Sequence, residues 1–110
     1  MDIHEALRLL EDTLGHAFIK KEVHKMDGWN PESSINLHPL VLLWYKIREE
    51  SGFTELTDAQ PNSQRSRELL TLADLIQNVK DDPEFPRLQS LLRDLEHWEA
   101  AIAQMRELKT

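Results

Sequence analysis

The chain has 110 residues, no cysteine, and 20 acidic against 13 basic side chains, for a net charge of −7. This excludes disulfides, thiolate metal sites and cysteine nucleophiles, and the acidic balance disfavours general binding to phosphate backbones. The length suits a single domain over residues 1–110, and a composition with few glycines and abundant Leu, Glu and Asp favours helix, where straight-chain side chains lose little rotamer freedom.

Ile3, Ala6, Leu7, Leu10, Leu14, Ala17 and Phe18 share one helical stripe, and Asp2 is placed to cap it, with Glu5 three residues on. Beyond Gly15 the apolar set shifts phase to Ile19, Val23 and Met26. The pattern predicts helix over about 2–26, kinked or broken near Gly15, and stopped at Asp27-Gly28. Residues 27–36 carry turn chemistry in Asn30-Pro31 and Ser33-Ser34, with Trp29 and Ile35 expected to fold back onto the core.

The segment 37–51 is the most apolar of the chain: Leu37, Leu40 through Tyr45 and Ile47 leave almost no polar face. Asn36 is the expected cap and Pro39 fits the first turn, where a missing N–H costs nothing. A helix apolar all round belongs at the centre of a bundle or under a partner. Gly52 ends it, and the polar run 53–62 is a loop. Ser63 then caps a helix over 64–80, striped by Leu69, Leu72, Ala73, Ile76 and Val79.

Asp81 to Glu84 is a short connector in which Asp82 caps and Pro83 takes the first helical position. The last helix is expected to run unbroken over 84–109, because Leu88, Leu91, Leu95, Trp98, Ile102 and Met105 repeat with coiled-coil-like spacing, flanked by Leu92 and Leu108. Such a helix is about 39 Å long at 1.5 Å per residue. The connector folds it against 64–80 as an antiparallel hairpin. The fold expected is all-α: a four- to five-helix bundle with a long C-terminal helical hairpin.

Little in the sequence carries chemistry. Asp12, His16, Lys20 and His24 recur every four residues, but histidines eight apart lie about 12 Å apart along a helix, too far for one metal ion without a bend. His16, Lys20, Lys21, His24 and Lys25 form a basic patch that would suit an acidic partner or a phosphate, although such a patch commonly serves only as a solvated face. Asp94 and His97 make one D-x-x-H pair where a helical di-metal site needs two, and Arg93 beside His97 lacks the concentrated positive charge that phosphate cleavage requires. His38, before Pro39, reads as a helix-start residue. The serines sit in no nucleophile elbow, and there is no Gly-rich phosphate loop. No catalytic residue, metal or cofactor is assigned.

The long last helix outruns its neighbour, so Trp98, Ile102, Met105 and Leu108 are the expected interface, covered by the N-terminal helix, a protein partner or a second copy. The functional expectation is a non-enzymatic protein–protein interaction module: an adaptor, assembly factor or small subunit. The alternatives are an acidic inhibitor or nucleic-acid mimic, supported by charge, and a metal-dependent helical enzyme using Asp94 and His97. No run approaches the ~18–20 apolar residues of a membrane span. Met1 to Glu5 lacks a signal-peptide pattern, so a cytoplasmic location is expected.

Overall fold

The computed structural model describes residues 2–27, 36–50 and 64–109. These form six helices and no strand: α1 Ile3–Leu14, α2 His16–Met26, α3 Pro39–Glu50, α4 Gln64–Val79, α5 Phe85–Leu92 and α6 Trp98–Lys109. The all-helical expectation holds. The expected count of four to five helices and the long hairpin do not.

The α1 helix starts where Asp2 accepts from the Glu5 N–H at 2.8 Å, satisfying one of the four amide donors that a helix start leaves free. It ends at Gly15, whose φ of +90° ordinary residues avoid. The Gly15 N–H still closes the α1 ladder on the Glu11 carbonyl, while its own carbonyl opens the α2 ladder to Ile19. The chain is helical on both sides of one residue, but the axis turns there. This accounts for the shift in apolar phase. Ile3, Ala6, Leu7, Leu10 and Leu14 are buried, whereas Ala17 is exposed and Phe18 half-buried. The break also frees carbonyls at the α1 end, and Gln89 of α5 donates its side-chain amide to that of Thr13 at 2.9 Å.

His38, rather than Asn36, caps α3: the Leu40 N–H donates to its Nδ1 at 3.2 Å and the Leu42 N–H to its carbonyl at 3.0 Å. Pro39 is then the first helical residue, as its fixed φ favours. The central position expected of this helix belongs instead to α4, which packs against α1, α3 and α6. In α3, Leu40, Val41 and Ile47 are buried while Leu42, Leu43, Trp44 and Tyr45 are half-buried. A second tie holds α3 to α1: Glu11 Oε1 accepts from Trp44 Nε1 at 2.8 Å and from Arg48 Nη1 at 3.0 Å, and the Arg48 guanidinium lies 5.3 Å from the Trp44 ring centroid.

The single helix expected over 84–109 is two helices, and the reason is Asp94. Its carbonyl accepts from the His97 and Trp98 N–H groups, and its Oδ1 accepts from the Glu96 N–H at 2.8 Å. Its Oδ2 lies 2.8 Å from His97 Nδ1. A short carboxylate that competes for backbone donors favours helix starts over helix interiors. The leucine spacing therefore continues through a turn, and Leu95, expected in a seam, is 39% exposed. The chain doubles back so that α6 packs on both α5 and α4. The cap expected at Asp82 and the helical start expected at Pro83 are displaced: Asp82 accepts from the Glu84 N–H at 2.8 Å within a turn, α5 begins at Phe85 after Glu84, and Pro86 lies in its first turn. The expected stop at Gly28, the loop residues Trp29 and Ile35, Gly52, the 53–62 loop and the Ser63 cap fall outside the described residues.

Candidate functional site

The α6 helix shows two apolar faces. Ala101 and Met105 point inward and are fully buried, so Met105, expected at an interface, is covered by the chain itself once α6 folds back. Trp98 and Ile102 point to the side, are half-buried, and with Arg106 occupy successive turns of one stripe. That stripe forms one wall of an open groove of about 470 Å³. The second wall is α4, with Leu72 and Leu75 at depth and Arg67 and Glu68 toward the rim, and α3 closes the end with Leu40 and Leu43. Leu108, 41% exposed, belongs elsewhere, in a smaller depression of about 260 Å³ beside Arg87 and Gln104.

The groove has a polarity opposite to that of the chain. Two arginines and one glutamate stand among its lining residues, on a protein of net charge −7. The Glu68 carboxylate already accepts from Gln64 Nε2 at 3.2 Å. The dimensions fall within the ~300–1,000 Å³ typical of sites that take an apolar group.

Behind Trp98 lies His38, 2% exposed. Its ring centroid is 5.5 Å from that of Phe18 in an edge-on arrangement and 6.0 Å from that of Trp98, tilted by 48°. Since Nδ1 accepts from the Leu40 N–H, the ring proton sits on Nε2, which has no hydrogen-bond partner. The Leu92 carbonyl is close enough to favour a proton on the ring, as are the charges of Glu22 and Asp94, but burial outweighs them and holds the His38 pKa below its usual range. Glu22 of α2 is itself buried: one carboxylate oxygen accepts from Lys25 Nζ at 3.1 Å, and the other has no partner.

The basic patch is dispersed in its contacts. His16, Lys20, Lys21 and His24 are exposed on α2, His16 stands 3.9 Å from Glu11, His24 is 3.9 Å from Asp27, and Lys25 is engaged by Glu22. Asp94 and His97 meet as a turn rather than on one helix face. Each perturbs the other: the His97 contact and the Glu96 N–H hold the Asp94 pKa down, and Asp94 pushes the His97 pKa up. Among the described residues no three His, Asp or Glu side chains converge to hold a metal ion, and no helix is long and apolar enough to cross a membrane.

No family model matches the chain, and no curated protein or solved structure matches it either. Of the groove, the sequence pointed to Trp98 and Ile102. Leu43, Leu72, Arg67 and Arg106 carried no signal, because each belongs to a stripe that reads as core or as solvated face until the helices are crossed. The one available clue was Trp98 itself, an indole too bulky for a tight two-helix seam.

Proposed function

We propose that this chain is a protein-binding helical module whose groove between α3, α4 and α6 takes an apolar, acid-flanked helix of a partner. The observation that supports this reading is the pairing of a leucine-, isoleucine- and tryptophan-lined floor with arginines at the rim of an otherwise acidic protein. Amphipathic helices dock in such grooves through anchors spaced three and four residues apart, and the charge at the rim selects the flanking residues. The basic patch on α2 is not part of this surface.

The test uses two synthetic amphipathic peptides that share one leucine face, one flanked by Glu and the other by Lys. The expected result is a saturable shift of the Trp98 indole N–H resonance by the Glu-flanked peptide. Binding of the Lys-flanked peptide is expected to be at least about tenfold weaker, the difference that ~1.4 kcal/mol of charge selection makes. Ile102→Glu abolishes both shifts. If neither peptide moves Trp98, or if the chain sediments as a dimer that Ile102→Glu dissolves, the groove has no such partner, and in the second case its occupant is another copy.

A further inference from the structure

The cap of α3 and the groove wall meet through one ring contact, between His38 and Trp98. His38 accepts from the Leu40 N–H through Nδ1 and lays its ring against Trp98, which faces the groove on its other side. Among the described residues, the imidazole meets rings, a carbonyl and charges from three elements. From α2 come Phe18, the Glu22 carboxylate and the Lys25 ammonium, from the end of α5 the Leu92 carbonyl, and from the turn before α6 the Asp94 carboxylate. The two buried side-chain polar atoms without a hydrogen-bond partner among the described residues are His38 Nε2 and Glu22 Oε2.

We propose that His38 makes the groove sensitive to pH: a second proton on its ring breaks the α3 cap and frees the ring from Trp98, so that the groove is formed while His38 is neutral and loosened when it is charged. The new proton must go on Nδ1, where it would oppose the Leu40 N–H and place a cation at the positive end of the α3 dipole. The Leu92 carbonyl and the charges of Glu22 and Asp94 favour the protonated ring, and Glu22 Oε2 has no hydrogen-bond partner of its own, so the groups that would receive the charged ring lie on the facing elements. The inference rests on the groove reading only for its consequence in binding. The link from His38 to Trp98 stands on the ring contact.

The test is a titration of the full chain from about pH 8 to about pH 5, following the Trp98 indole N–H and the histidine ring protons by NMR. His38 and Trp98 are expected to move together with one midpoint below 6.5, while His97 titrates separately above it. His38→Asn keeps an acceptor for the Leu40 N–H and removes the titrating group, so Trp98 loses its transition. Glu22→Gln lowers the His38 and Trp98 midpoints together, and serves if His38→Asn does not fold. A Trp98 signal that ignores His38, that keeps its transition in His38→Asn, or that fails to move with His38 in Glu22→Gln overturns the proposal. None of these readouts uses a peptide, so failure of the groove to bind one is a separate result.

Discussion

Two places interrupt the helical run of this chain, and they do so by different physics. At Gly15 the backbone breaks through a single residue at φ +90°, and the ladders of α1 and α2 continue up to it from either side. Between α5 and α6 no glycine is needed: Asp94 takes the backbone donors of the next helix and the chain turns over residues 93–97. Both breaks follow a fully buried leucine, Leu14 in one case and Leu92 in the other. One break is therefore encoded in what a glycine permits and the other in what an aspartate binds, and at the second Asp94 and His97 shift each other's titration.

The largest expected effects lie in what the two breaks share. Leu14→Ala and Leu92→Ala should each destabilise by about 2–5 kcal/mol in denaturant unfolding, because each leaves a cavity at the root of a turn. An inequality beyond that range would mean that one break is anchored and the other is not. Next comes Gly15→Ala. An added Cβ meets nothing nearer than Arg93 Nη1 at 4.0 Å, so the cost is backbone strain alone, about 1–3 kcal/mol. A neutral result would show that the chain can straighten into one helix there. Leu95→Ala separates the turn from the seam: exposed as it is, its loss should change stability by less than about 0.5 kcal/mol, whereas a leucine in a continuous seam would cost several-fold more.

The smallest effect is the pH dependence of the second break. The raised pKa of His97 means that its contribution is complete below 6.5 and disappears as pH rises through its folded value. The lowered pKa of Asp94 means that its contribution is present above 3.8 and lost as pH falls through its folded value. Buried His38 works in the opposite sense to His97: its contribution is complete above 6.5 and falls away as pH drops toward its lowered folded value. The gap in melting temperature between the wild-type chain and His97→Ala should thus be widest at mildly acidic pH and narrow as pH rises. A gap that widens instead would show that the Asp94 contact does not hold the turn.

These contrasts explain which parts of the fold were legible. Gly15 announces itself, because the residue type and the change in apolar phase coincide. The α1 stripe, the Asp2 cap and the extent of α4 follow from local periodicity and short-range hydrogen bonds, which a sequence carries in full. Asp94 is visible in the sequence but reads as an interior residue, since the leucines around it keep helical spacing across the turn. A helix unbroken at Asp94 would carry Met105 and Leu108 out along a protruding seam, whereas Met105 is covered by the chain's own fold and Leu108 lies in a separate depression. The centrality of α4 over α3 was equally hidden, because apolar content does not say how many neighbours a helix has. The groove depends on three helices crossing, and no single stretch of residues contains it.

Which side of α6 meets a partner is tested most directly by site-specific photo-cross-linking from that helix. A photoreactive residue at position 102, in the full chain made in cells, should give an adduct with another protein that Arg106→Glu removes, while the same residue at position 108 gives none. Adducts from position 108 alone, equal adducts from both positions, or adducts only between copies of the chain would contradict the proposed groove site.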